Sequence, residues 1–493
     1  MTSLHALPVF NSRFQPAETY QASSGQYSLL PFRFLSLDAD RHILSNLSGE
    51  YLVLPKNVVH QFIRHDLPQH SDEYQELKSQ HFLVDEESTV ALDLEALKYR
   101  SKQALLSRFT SLFMFVTTLR CDHSCPYCQV SRQSQDRIAY DMALEQADRA
   151  IDFMFKSPSP AIKVEFQGGE SLLNFDLVRH IVERVEERNV FEKRNVAFVI
   201  ATNLSPLLDE HLVFCRDHDM YISTSLDGPR ELHNKNRPRI GRNSHELTIE
   251  GIRRAREMLG MDKVAALMTT TEASLLLPVE IVDEYVRQGF RSIFLRSISP
   301  YGFAVKTGLA DRYHTGQWLE FYRRALAHII ELNCQGVPFR EEYASLILRK
   351  LLTPYPTSYV DLQSPAGIGI SCLVFNYDGD IYASDESRML AEMGDKTFRL
   401  GNVQTHSFED VFQSDALRQL LLDTMTEGMP MCADCGVQPY CGSAPVHHHA
   451  VQGDPVGCKP TSDFCSKNMG IIRHLIQLLE DDPRAATVLR SWV

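Results

Sequence analysis

Three cysteines, Cys121, Cys125 and Cys128, stand in a C-x3-C-x2-C run directly after the apolar stretch 112–118. Spacings of four and three also describe one face of a helix, where three small residues would pack in a core. Pro126 inside the run removes a backbone donor and breaks such a helix, so a loop that gathers thiols is the stronger reading. Three clustered thiolates with no clear fourth ligand nearby suit an iron-sulfur cluster with an open corner better than a closed zinc tetrahedron. The 11 cysteines are odd in number, and most fall in two tight groups. Residues 1–20 show no basic-then-apolar export signal. Metal or redox chemistry therefore outranks a disulfide framework, and a cytoplasmic protein is expected.

The surroundings of the run set the fold class. From about residue 111 apolar strand patterns (112–118, 162–166, 196–202, 221–226, 264–269, 293–296) alternate with amphipathic helix patterns (141–155, 175–188, 209–217, 246–259, 278–288). Six strands alternating with helices call for a parallel sheet that curls into a partial (β/α)6 barrel, an α/β fold, with chemistry at the carboxyl ends of the strands. Before it, short alternating runs at 27–34, 41–47 and 50–54 and helical patterns at 58–64, 71–82 and 97–108 make a small α+β, winged-helix-like module, 1–105. The barrel spans 106–335. A linker or lid, 336–371, contains the Pro-, Tyr- and Ser-rich stretch 353–369. The remainder, 372–493, has a Tyr-Asp-Gly-Asp hairpin signal at 377–380, a second cysteine group and a terminal helix at 466–480. It has too few periodic runs to build much core without a metal centre. A length of 493 residues fits about three domains. Net charge of -13 argues against a chain that tracks nucleic acid, and no apolar run of about 18 residues spans a membrane.

Unusual residues gather at four successive strand ends: the cysteine run, Gln167-Gly168-Gly169-Glu170, Asn203, and Ser225-Leu226-Asp227-Gly228. This pattern resembles the radical S-adenosylmethionine (SAM) enzymes. The resemblance implies a 4Fe-4S cluster on Cys121, Cys125 and Cys128, whose fourth iron is chelated by the amino and carboxylate groups of S-adenosylmethionine. It also implies cofactor contacts from Gly168, Gly169 and Glu170, the last accepting hydrogen bonds from an ammonium group. Asn203 and Ser225 are polar contacts for the cofactor or mere caps of a turn. Arg237 is a carboxylate binder or one of a solvated basic run, and Arg296 is a second such candidate with a surface ion pair as its alternative.

Cys432, Cys435 and Cys441, with Cys458 and Cys465 beyond, resemble the SPASM extension that carries auxiliary 4Fe-4S clusters. In the full pattern two further cysteines would stand where this chain has Ser384 and Pro445, leaving Cys372 without companions. One auxiliary cluster is therefore expected, on Cys432, Cys435, Cys441 and Cys465, with Cys458 the competing fourth ligand and a structural zinc the alternative metal. By resemblance to sulfatase-maturing relatives, Asp385 is a candidate general base; a solvent-facing turn acid is its alternative.

The stretches 120–125, 166–170 and 435–441 resemble the B-type radical maturases of bacterial His-Xaa-Ser peptide systems. That implies a ribosomal precursor peptide as substrate, hydrogen abstraction by a 5'-deoxyadenosyl radical, and a crosslink or ring as product. It implies as partners a paired second radical SAM protein and a one-electron donor such as flavodoxin or ferredoxin, with no nucleic acid and no membrane. The amino-terminal module would read the precursor's leader at a sheet edge. An anaerobic sulfatase-maturing type of enzyme and a zinc-stabilised scaffold are the competing readings.

Overall fold

The computed structural model describes residues 27–104, 106 and 109–493. The stretch inspected for an export signal lies outside the described residues.

The amino-terminal module is a meander of β2 (Phe32–Ser36), β3 (Arg41–Asn46) and β4 (Tyr51–Pro55), while β1 (Ser28–Leu29) pairs with β5 (Leu83–Val84). Helices Lys56–Ile63 and Asp72–Ser79 cover one face. Because side chains alternate along a strand, β3 serves two cores. Leu44 packs with Phe62, Tyr74 and Phe82 in the module, while Ile43 turns into the main core of the molecule.

The barrel strands β6 (Leu112–Thr118), β7 (Ala161–Gly168), β8 (Asn195–Ala201), β9 (Tyr221–Ser225) and β10 (Val264–Leu267) run parallel in sequence order. The longer helices that follow these strands in turn are Leu144–Met154, Phe175–Glu192, Asp209–Asp217, Ser244–Leu259 and Pro278–Arg287. Their periodic apolar faces explain the agreement with the sequence pattern. The sixth strand departs from expectation. Only β11 (Ser292–Ile293) is regular, and it pairs with β12 (Arg340–Glu341). It meets the barrel through one parallel bridge, Thr270 to Ser297, with Thr270 N donating to Arg296 O at 2.8 Å. On its other side the buried Glu341 carboxylate accepts the Leu295 N–H at 3.1 Å, where the β11–β12 pairing stops.

At the other edge the sheet continues into the cysteine-rich region. Strand β13 (Cys372–Phe375) pairs parallel to β6, and β14 (Asp380–Tyr382) and β15 (Arg399–Asn402) extend it antiparallel to an eight-stranded mixed sheet. The hairpin signal at 377–380 is the β13–β14 turn. Within 336–371, residues Glu342–Leu352 form a helix with Tyr343, Ile347 and Leu348 buried, because its apolar spacing finds the helices Asp463–Asp481 and Pro483–Arg490 to pack on. One continuous core includes Leu37 and Ile43 of the first module, the barrel, and Tyr440, Ile471 and Leu475 of the last region.

Candidate cluster and cofactor site

The cysteine loop leaves β6 at the sheet's carboxyl end and is tied down by backbone on both sides. Ser124 N donates to Pro238 O at 2.8 Å and Phe303 N to Cys128 O at 2.7 Å. Arg120, at the loop's start, makes a two-pronged ion pair with Asp141, Nε to Oδ1 at 2.7 Å and Nη2 to Oδ2 at 2.8 Å, and donates to Leu173 O. This buried anchor carries no motif that a single sequence would reveal.

A second anchor runs through His123, whose hydrogen bonds determine the tautomers. Asp227 N donates to His233 Nδ1 at 3.2 Å, which leaves His233 Nε2–H to donate to Ser244 Oγ at 3.0 Å. The Ser244 hydroxyl then donates to His123 Nε2 at 2.8 Å, and His123 Nδ1–H donates to Asp122 Oδ1 at 2.9 Å. Burial holds His233 well below its ordinary pKa, in keeping with its neutral role. Burial pushes Asp122 up, yet hydrogen bonds from His123, Asn203 and Ser205 outweigh it and hold the group at about 2.

The cleft at the strand ends measures about 230 Å³. Cys121, Cys125 and Cys128 line it together with Gly168, Gly169, Asn203, Ser225 and Arg237, and Arg296, Asp385 and Met389 stand across from them. The structure thus brings most of the sequence candidates to one place. Glu170 differs. It is 1% exposed, and its oxygens already accept from Thr202 Oγ1 (2.6 Å), Asn203 N (2.7 Å) and Leu172 N (3.1 Å). The carboxylate is committed to the protein's own donors and braces β7 against β8, while the two glycines face the cleft. Burial raises Glu170 to about 7 against those hydrogen bonds. Asn203 is likewise occupied, donating to Asp122 Oδ1 at 2.9 Å and accepting from Ser205 N. Arg237 pairs with the fully buried Asp227 at 3.2 Å and lies over the Tyr127 ring, and Tyr127 Oη donates to the same carboxylate at 2.6 Å. Arg388, buried and 2.7 Å from the Asp385 carboxylate, points that acid toward the cleft from the carboxyl-terminal region.

In the second group, Cys465 is raised to about 11 by burial and then by Cys441, Cys432 and Cys435, which places the four thiols within electrostatic reach of one another. Asn468 Nδ2 donates to Cys441 Sγ at 3.6 Å. Cys458 is exposed, and its backbone N–H is bound by Gln452. Cys372 is buried in β13, its thiol donating to Ala383 O at 3.4 Å. Ser384 and Pro445 both line a separate cavity described below.

The donor sets fit iron-sulfur clusters. A tetrahedral zinc holds sulfurs about 3.8 Å apart, from Zn–S bonds of about 2.3 Å. Among the described residues, no three sulfurs of either group lie within 4.8 Å of one another. The tight trio of Cys121, Asp122 and His123 is not an alternative ligand set, because both ring nitrogens of His123 are consumed in the chain above. Burial raises Cys125 to about 12 and Cys432 to about 11, so loading either group with metal must release protons.

This fold and this strand-end cleft define a radical SAM barrel with an iron-sulfur extension. Residues 115–272 match the radical SAM superfamily, and residues 368–436 match the SPASM iron-sulfur cluster-binding domain. The chain is a radical SAM enzyme whose cofactors are 4Fe-4S clusters and S-adenosylmethionine. Its relatives include an uncharacterized protein of Synechocystis, 25% identical over 350 residues (68% of this chain, 83% of that one). A cysteine-type anaerobic sulfatase-maturating enzyme of Clostridium novyi is 24% identical over 131 residues, 26% of this chain and 35% of that one. The fold is shared with anSMEcpe bound to AdoMet: TM-score 0.64, 15% identity, 78% of this chain and 99% of that one. It is shared also with Streptococcus suis SuiB bound to its precursor peptide SuiA: TM-score 0.51, 15% identity, 87% and 98%. Among the described residues no helix is long and apolar enough to cross a membrane.

Proposed function

We propose that this protein is a cytoplasmic maturase of a His-Xaa-Ser type precursor peptide, working with a paired second radical SAM protein and an external one-electron donor such as flavodoxin or ferredoxin. The observation that carries the reading is the convergence, in one cleft, of Cys121, Cys125 and Cys128, the Gly168–Gly169 backbone and the Asp385 carboxylate. The three thiolates would hold the cluster that, once reduced with S-adenosylmethionine bound, supplies a 5'-deoxyadenosyl radical able to remove a hydrogen atom from the peptide. Gly168 and Gly169 leave room for cofactor backbone contacts, and Ser225 offers a hydroxyl to it. Asn203 acts at one remove by holding Asp122, and Glu170 by holding Asn203. Arg237, kept in place by Asp227 and Tyr127, orients a carboxylate. Asp385, steadied by Arg388, takes up the proton that a substrate residue releases as it is oxidised. Cys432, Cys435, Cys441 and Cys465 would hold one auxiliary cluster; the exposure of Cys458 favours Cys465 as the fourth ligand.

The leader segment is assigned to the amino-terminal sheet. The outer edge of β2 is met by Cys435 through a single bridge, which leaves β4 as the edge for an added strand. A sulfatase-type protein substrate is the second reading, favoured by Asp385 standing in the cleft.

Anoxic co-expression with a His-Xaa-Ser repeat precursor peptide, read by mass spectrometry, tests the proposal. A peptide that loses two hydrogens and carries a new crosslink or ring is expected. An unmodified peptide, with a sulfatase-derived peptide oxidised under the same conditions, would overturn it.

A further inference from the structure

A second cavity of about 290 Å³ lies against the metal-loop cleft. Arg296 lines both spaces, and the consecutive acids Asp385 and Glu386 divide them: the first faces the cleft and the second faces the cavity. Its wall is aromatic, with Trp318, Tyr313, Tyr343, Tyr359 and Phe464.

The ionisable groups around this space are not evenly matched. Asp361 and Glu386 stand inside, and Asp311 and Asp463 stand on the exposed rim. Against these four carboxylates stand Arg296 and Lys467, both engaged, with His314 on the exposed rim and His447 on the wall. Arg296 faces Glu386 at 3.7 Å. Lys467 reaches Ser297 Oγ at 3.4 Å and lies over the Trp318 and Phe464 rings at 6.0 and 5.8 Å. Asp361 is left with no hydrogen bond and no ion pair among the described residues. Burial and the neighbouring Glu386 raise its pKa, with Lys467 and Arg296 opposing. His447 adds no positive charge near neutral pH, because burial holds it at about 4.

We infer that this cavity seats a cationic side chain of the substrate peptide, an ammonium, guanidinium or imidazolium group placed against Asp361 and beside the residue that loses hydrogen. The inference rests on the peptide-substrate reading above. A cation between Asp361 and Glu386 relieves the repulsion of two acids held in a low-dielectric space, and the aromatic faces stabilise it further. A carboxylate would add to the acid surplus. An apolar group would cover charged oxygens without pairing them.

The chain has 2 tryptophans, Trp318 in the cavity wall and Trp492 at the far end of the sequence, so Trp492→Phe makes Trp318 emission a report on occupancy. Holoenzyme of that variant, kept anoxic, would be titrated with the N-acetyl methylamides of arginine, lysine, glutamate and leucine. Saturable changes are expected with arginine and lysine, at least about tenfold tighter than with glutamate or leucine. Adding Asp361→Asn should weaken the arginine and lysine compounds at least about fivefold, and Asp361→Lys should invert the preference toward glutamate. Iron content would check that each variant is folded and loaded. Equal binding of all four compounds, binding of none, or indifference to both substitutions at position 361 would overturn the inference. Cleavage of S-adenosylmethionine, measured separately, tells the two readings apart: cation selectivity in a protein that cleaves none would remove the proposed reaction and leave the cavity's assignment standing.

Discussion

Glu341 has no exposed surface and, among the described residues, no ion pair; Leu295 N, Ala344 N (2.6 Å) and Tyr322 Oη (2.8 Å) donate to its oxygens. Burial raises it from 4.5 to about 7 against those hydrogen bonds. Between these values the folded state keeps a proton that the unfolded chain releases. The group's contribution to stability is therefore full below about pH 4.5 and is lost as pH rises through about 7, a change on the order of 3 kcal/mol. Glu341→Gln removes this ionisation. Measured by denaturant unfolding, the variant should gain on the parent by about that amount across the same interval. A difference that stays flat with pH would refute the account. Neither the role of this acid nor the linkage of His123 to Ser244 and His233 was legible in the sequence, because Glu341 meets Leu295 across 46 residues and His123 meets Ser244 across 121. The cysteines were legible, since their spacing alone gathers three thiols.

Strand ends and the loops they feed behave as one unit. A Cβ at Gly169 would fall 2.2 Å from Arg120 O and 2.5 Å from Leu119 O, and one at Gly168, where φ is +153°, would fall 2.0 Å from Thr118 O. The glycine pair is thus demanded first by the close approach of β7 to the peptide that launches Cys121, and only then by any ligand. Gly169→Ala must push that peptide aside. Expected consequences are a loss of about 2 kcal/mol in unfolding free energy and about four fewer irons per chain after reconstitution. Full iron content in the alanine variant would show that the loop tolerates the shift. The barrel strands and helices were readable from periodicity, but the sixth strand is regular only over Ser292–Ile293, where it pairs with Arg340–Glu341 and not with the barrel.

The molecule is more continuous than three domains in series. Leu37 and Ile43 of the first module lie in the main core, and Phe34 bridges to Cys435. A Cβ at Gly436 would meet Phe34 C and Leu35 N at 2.7 Å. Arg33 Nε also donates to Ala433 O at 2.5 Å. The module therefore packs over the second cysteine group. Removing residues 27–104 should lower iron by about four per chain by uncovering that group, while the iron held at the β6 loop remains. Iron analysis of the truncated protein checks this, and a truncated protein with undiminished iron would show that the contact is dispensable. Leader recognition is better tested by single substitutions along β4, which spare the contact with Cys435.

Local chemistry was written in the chain itself: the thiol spacing, the glycines after a strand, the alternation of strand and helix, and the Tyr-Asp-Gly-Asp turn all depend on neighbours a few residues apart. Tertiary structure decided the rest. It gave Glu170 and Asn203 hydrogen-bond partners within the protein, joined β13 to β6, carried Asp385 across to the cleft, and opened an acidic, aromatic cavity beside it. Those outcomes depend on which distant groups share a buried space, where an unpaired donor or charge is costly, and no local pattern records that pairing.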